Sequence, residues 1–73
     1  MIEVRLFATF REGRNKITML DSQNFSVAGD VLDYFHIPHE EVAILLINGH
    51  HAKFNSSVKD GDILAIFPPI AGG

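Results

Sequence analysis

The sequence predicts an α+β domain: a mixed four- to five-stranded sheet with one helix across one face. Three observations carry this reading. Apolar and polar residues alternate with period two over Ile2-Glu3-Val4-Arg5-Leu6, and a single helical stripe runs through Val27, Ala28, Val31, Leu32 and Phe35. Two β-branched runs, Val42 to Ile47 and Ile63 to Phe67, then follow within the second half of the 73 residues. A chain of this length is one domain. Size scaling gives about 11,700 Å² of accessible surface unfolded and about 4,500 Å² folded. So small a core leaves no volume for a deep enclosed cofactor pocket, and no cofactor is expected to be bound.

The first strand points Ile2, Val4 and Leu6 at the core and places Phe7 on the other face beside Glu3 and Arg5. Arg11-Glu12-Gly13-Arg14-Asn15 is polar and carries a glycine, a turn that returns Lys16 to Leu20 as a second strand. A polar connection, Asp21 to Asn24, leads to Ser26, placed to cap a helix of about three turns over Val27 to Phe35. Gly29 is expected to weaken that helix by about 1 kcal/mol relative to Ala. Ile37-Pro38 ends it, because a residue before proline is pushed out of the α region. Val42 to Ile47 reads as a strand closed by Asn48-Gly49, a strong hairpin signal, and a short strand is expected around Ala52 to Phe54. Lys59-Asp60-Gly61-Asp62 turns the chain into Ile63 to Phe67, which Pro68-Pro69 stop because proline cannot donate to a ladder.

The order β-β-α-β-β-β is that of a β-grasp, or ubiquitin-like, fold spanning residues 1-67, with residues 68-73 as a flexible tail. A helix between the second and third strands carries the chain across the sheet, so the last strand can lie parallel to the first in the middle. If Ile2, Val4 and Leu6 meet the helix, so do Leu64 and Ile66. Phe67 then shares the far face with Phe7.

Composition narrows the function. The chain has no Cys, hence no disulfide framework, thiolate nucleophile or cysteine-based metal site. Its longest apolar run is six residues, and no basic region followed by a greasy one opens it, which points away from a membrane span or secretory signal and towards a cytoplasmic protein. Six basic residues against nine acidic ones, spread along the chain, argue against nucleic acid or an anionic membrane as partner.

The most informative stretch is Pro68-Pro69-Ile70-Ala71-Gly72-Gly73. Two prolines stiffen the exit from the last strand. The small residues behind them can project about 20 Å and enter a narrow channel. Glycine leaves the terminal carboxylate with little steric cover. The chemistry this suits is activation of the Gly73 carboxylate by another enzyme, as an acyl-adenylate followed by acyl transfer. A frayed terminus would carry the same dipeptide.

With a β-grasp of this size, that ending after Ile66-Phe67 resembles the sulfur-carrier branch of the ubiquitin-like proteins, specifically the small subunit of molybdopterin synthase. The opening Val4-Arg5-Leu6-Phe7-Ala8-Thr9-Phe10-Arg11-Glu12 and the turn Asp60-Gly61-Asp62 resemble the same family. The thiamine-pathway sulfur carrier ends similarly, but Phe-Pro-Pro before the tail looks more like the molybdopterin branch. The chain departs from the family in being shorter than many members between the helix and the Asn48-Gly49 turn, and in its histidines.

The resemblance implies a cycle. An E1-like activating enzyme uses ATP to adenylate Gly73, and a sulfur donor converts the adenylate to a thiocarboxylate. The tail, Pro68, Pro69, Ile70, Ala71 and Gly72, then enters the large subunit of molybdopterin synthase and delivers sulfur to a pterin precursor. Phe7, Arg11 and Phe67 match family positions at the partner interface. The carrier is then a co-substrate and subunit, with no catalytic group beyond its own carboxylate. Two other readings share the tail: a sulfur carrier for thiazole synthesis, and a ubiquitin-like modifier joined to lysines through Gly73. A passive interaction domain would not need the tail.

The remaining polar residues suggest no chemistry. Pro38 breaks the helical spacing between His36 and His39, and adjacent His50 and His51 on a strand point to opposite faces, so solvated turn histidines are expected in place of a metal site. Asp30, Asp33, Glu40, Glu41, Asp60 and Asp62 read as capping, helix-face or turn residues.

Overall fold

The computed structural model describes residues 1–69. Five strands, β1 (Ile2–Leu6), β2 (Ile17–Leu20), β3 (Ile44–Ile47), β4 (His50–His51) and β5 (Ile63–Phe67), and one helix, α1 (Ala28–Tyr34), are joined by three 3₁₀ turns. The sheet order is β2-β1-β5-β3-β4, with β1 parallel to β5 at the centre and the other pairs antiparallel. This is the β-grasp arrangement expected from the sequence. The accessible surface, 4602 Å², matches the size scaling.

Registers separate the two faces. Leu20 and Ile2, then Val4, Leu64 and Ile47, then Leu6, Ile66 and Leu45 lie on the helix side. There Ile2, Val4, Leu6, Leu64 and Ile66 are fully buried against Ala28, Val31 and Leu32. Phe10 and Ile37 belong to the same core. Val42 to Ile47 was expected as one strand; the chain joins the sheet only at Ile44, after a 3₁₀ turn over His39–Glu41.

Helix α1 is shorter than expected, two turns in place of three, and is capped differently. Ser26 contributes its backbone alone. The Asp30 carboxylate reaches back to accept from the amides of Ser26 (2.9 Å) and Val27 (3.2 Å), while Ala28 and Gly29 donate to the carbonyls of Ser56 (2.9 Å) and Phe54 (2.8 Å). That last contact also corrects the reading of Gly29. A Cβ there would stand 3.1 Å from the His39 ring and 3.2 Å from the Phe54 carbonyl, so glycine permits the close approach of the 54–56 loop. At the other end, His36 donates to Asp33 (3.0 Å) and Ile37 to Leu32 (3.0 Å), a Schellman closure. The chain leaves the helix at His36, before the proline, with φ +58°. That left-handed position is usually glycine. Replacing His36 with Gly is expected to stabilise the fold by about 1 kcal/mol, read from the urea midpoint; a fall in the midpoint would refute this account.

The two amides hold the Asp30 carboxyl below the ordinary carboxylate value of 3.8, Ser26 contributing most. The fold therefore favours the ionised form. Its contribution is complete above the ordinary value and is lost as pH falls through the lower folded value. Asp30→Asn should lower the melting temperature at neutral pH and flatten the acid limb of stability below about pH 4. An unchanged acid limb would show that the cap carries no linkage.

The Asn48-Gly49 hairpin forms as expected, both residues having positive φ (53° and 82°). The expected strand at Ala52 to Phe54 does not form; pairing with β3 is made by His50 and His51. Asn48 also clamps the start of β5, accepting from the Ile63 amide and donating to Asp62 (both 2.9 Å). Asp62 in turn accepts from the Lys59 amide (2.8 Å), tying the Asp60-Gly61-Asp62 turn together.

Candidate functional site: an aromatic column on the open sheet face

One helix covers one face of the sheet, so the other is open. The register puts Met19, Glu3 and Ile63 in one row there and Ile17, Arg5, Ala65, Leu46 and His51 in the next, with Ile44 beside Phe67. Ile17, Met19, Ile44 and Ile63 are exposed. Apart from the Arg5–Glu3 pair, this face is mostly apolar.

Its most ordered feature stands at the end of β5. Phe7 and Phe67 stack nearly parallel, ring centroids 4.2 Å apart with 10° between planes. The Arg11 guanidinium lies over the other side of Phe7, 5.2 Å from its centroid. The backbone builds this column directly. The Phe7 amide donates to the Ile66 carbonyl (3.2 Å), extending the central pairing by one residue. Ala8 then turns sharply with φ +54°, a left-handed conformation that costs a residue with a Cβ about 1–2 kcal/mol. The 3₁₀ turn Ala8–Arg11 that follows sinks Phe10 into the core and brings Arg11 back over Phe7, where its Nε donates to the Leu6 carbonyl (2.7 Å).

The sequence reading placed Phe7 and Phe67 on this face by parity and named Arg11 beside them; the structure brings all three together. It did not single out Ile17, Met19, Ile44 or Ile63. The signal was present, since strands apolar at both parities in a sheet with one covering helix must expose one set. Nor did it single out Arg14, which donates to the Phe35 carbonyl at the end of α1 (3.0 Å from Nη2) and to Phe10 (3.3 Å), locking the 3₁₀ segment to the helix.

Of the tail residues, Pro68 is buried and Pro69 exposed, so the surface segment begins one residue later than the sequence suggested. Ile70, Ala71, Gly72 and Gly73 lie outside the described residues. His39, expected as a solvated turn residue, is half-buried: its Nε2 is 2.9 Å from the Asp33 carboxylate and its ring packs 4.8 Å from Phe54. His36, His50 and His51 are exposed. Among the described residues, no three His, Asp or Glu side chains converge as a metal site, and no helix is long and apolar enough to cross a membrane.

This five-stranded sheet with its single helix and open apolar face defines a ubiquitin-like domain. The model of the ThiS family matches residues 4–73, and the chain belongs to that family of ubiquitin-like sulfur carriers. Small archaeal modifier protein 3 of Haloferax volcanii is 31% identical over 99% of this chain and 98% of its own length. The crystal structure of SAMP1 from the same organism superimposes with a TM-score of 0.77 at 28% identity, covering 99% of this chain and 98% of that one. A complex of subunits 1 and 2 of the molybdopterin-converting factor from Helicobacter pylori contains a chain that matches with a TM-score of 0.60 at 22% identity, covering 99% of this chain and 97% of that one, a likeness of fold.

Proposed function

We propose that this protein is the sulfur-carrying small subunit of a molybdopterin synthase, acting through the Gly73 carboxylate. The observation that carries the proposal is the aromatic column at the end of β5: a docking surface stands at the root of the segment that bears the reactive end. A partner that grips this face at Phe67 holds the chain three residues before Ile70. The pairing of subunits in the Helicobacter pylori complex supports the choice of partner.

The chemistry proceeds in three balanced steps. A carboxylate oxygen of Gly73 attacks the α-phosphorus of ATP on an E1-like adenylating enzyme, forming the acyl-adenylate and releasing pyrophosphate. A donor at the oxidation level of sulfide attacks the acyl carbon and displaces AMP, leaving the thiocarboxylate. In the large subunit the thiocarboxylate sulfur attacks an electrophilic carbon of the pterin precursor, and a carbon–oxygen bond at that carbon breaks with its electron pair leaving on oxygen. Water then hydrolyses the resulting thioester, leaving sulfur on the pterin and restoring the Gly73 carboxylate. The missing cysteines fit this scheme, because no side-chain thiol of this chain competes for the activated acyl group.

Intact mass after incubation with the adenylating enzyme, ATP and a sulfur donor should rise by about 16 Da, the exchange of oxygen for sulfur. No gain with a competent enzyme would end the proposal. The relatedness to Small archaeal modifier protein 3 favours a second reading, conjugation of Gly73 to lysines, which would leave target proteins heavier by this chain, 8.1 kDa less one water. Docking is tested separately. Phe7→Ala and Phe67→Ala should each weaken binding of the large subunit by about 2 kcal/mol, roughly thirtyfold, as for central aromatic anchors, with Ile17→Ala much milder. Equal effects at all three positions would place the interface elsewhere.

A further inference from the structure

The two edges of the sheet differ. At β4 only His50 and His51 pair, which is too short an edge to template another strand. The β2 edge is longer and carries none of the devices that blunt an edge: Ile17-Thr18-Met19-Leu20 holds no charge and no proline, and its register with β1 runs without a bulge. The Leu6 amide donates to the Lys16 carbonyl (3.0 Å), so alternation turns the main-chain groups of Lys16, Thr18 and Leu20 towards β1 and those of Ile17 and Met19 outwards. Among the described residues, no partner meets these two outward amides and two carbonyls. Beside this edge, on the helix side, Thr18, Tyr34, Phe35 and Arg14 line an open groove of about 420 Å³. Tyr34 is exposed and meets Phe35 edge to face, ring centroids 5.0 Å apart. The charge here is positive, although the whole chain carries −3. Arg14 donates only to the carbonyls of Phe10 and Phe35, Lys16 is exposed, and among the described residues neither forms an ion pair with a carboxylate.

We propose that β2 and this groove bind an acidic, extended segment of a partner protein, which joins the sheet as a sixth strand antiparallel to β2. Its main chain exchanges hydrogen bonds with Ile17 and Met19. The side chain opposite Thr18 points to the helix side and enters the groove against Phe35 and Tyr34, so an apolar residue fits there. Two residues along the segment, on the same face, the side chain opposite Lys16 is a carboxylate that meets the Lys16 ammonium and the Arg14 guanidinium. Residues between these positions pair with the exposed Ile17 and Met19. Charge selects this occupant over a second copy of the chain, whose own β2 offers no carboxylate. The groove lies on the helix side, whereas Phe7 and Phe67 stack on the open face, so the proposal is independent of the sulfur-carrier reading.

An NMR titration of the full chain with the peptide acetyl-Thr-Val-Leu-Val-Glu-Glu-amide tests this. Paired antiparallel, its valines oppose Met19 and Ile17, its leucine opposes Thr18 and its first glutamate opposes Lys16. The amides of Ile17, Thr18, Met19 and Phe35 should shift, while those of His50 and His51 at the other edge should not. The same peptide with both glutamates replaced by lysine should bind about tenfold more weakly. Lys16→Glu, an exposed position outside the core, should weaken the acidic peptide by a similar factor and strengthen the lysine peptide. Absence of any shift at millimolar peptide would overturn the proposal, as would shifts centred on His50 and His51 or equal affinity for the two peptides. Shifts of Ile17 and Met19 that grow with protein concentration in the absence of peptide would overturn it too, by assigning the edge to a second copy.

Discussion

Deleting Gly73 is expected to abolish sulfur loading while leaving the unfolding curve unchanged. The shortened chain still ends in a glycine carboxylate, so the chemistry of the end group is conserved and only its position changes. One extended residue is about 3.3 Å, and misplacing reacting atoms by 1 Å already costs on the order of a hundredfold. The Gly72 carboxylate would stop short of the α-phosphorus of ATP, and the 16 Da gain should vanish from intact-mass spectra. The buried core is built from residues 2–66, so thermal unfolding followed by circular dichroism should superimpose on that of the full chain. Loading of the deletion variant at the full-chain rate would show that reach does not matter, and with it that the end group does not enter a fitted channel.

Ile66→Ala should remove a large share of the protein's stability. Ile66 is fully buried in the central strand, in register with Leu6 on one side and Leu45 on the other. Truncating such a residue costs about 2–5 kcal/mol in lost burial and residual cavity. A chain of 73 residues has about 4–11 kcal/mol in all. The same truncation at Ile63, on the same strand but facing the open side, should cost less than about 1 kcal/mol. Urea titration of both variants separates the faces. A larger loss at Ile63 than at Ile66 would mean that the open face is covered in solution.

Much of this architecture was legible because it depends on parity. Ile2, Val4 and Leu6 settle which way the first strand faces, Leu64 and Ile66 must agree with them, and Phe7 and Phe67 follow onto the other side. The features that were not legible are those in which distant backbone replaces a local signal. Ser26 resembles a cap, yet the first helical amides are satisfied by the carbonyls of Ser56 and Phe54, nearly thirty residues away, and by Asp30 reaching back. Gly29 resembles a weak point in a helix because its reason, the approach of Phe54 and His39, is tertiary. His36 occupies a position where sequence rules look for glycine, so the helix stop was assigned to Pro38. In the site, the residues of the column could be named singly, but the turn at Ala8 that stacks Arg11 on Phe7 has no glycine to announce it.

The parallel pairing of β1 with β5 has a consequence for the order of events in the cell. The first and last strands of this fold form the middle of the sheet, so neither half of the domain holds a complete core and folding awaits β5. The segment bearing the carboxylate follows directly from that strand. An activating enzyme that recognises the assembled sheet face therefore meets the end group only on a molecule whose folding is finished. On the proposed function the topology would act as a proofreading step: nascent or misfolded copies would present no docking surface, and ATP would not be consumed on chains that could not deliver their cargo.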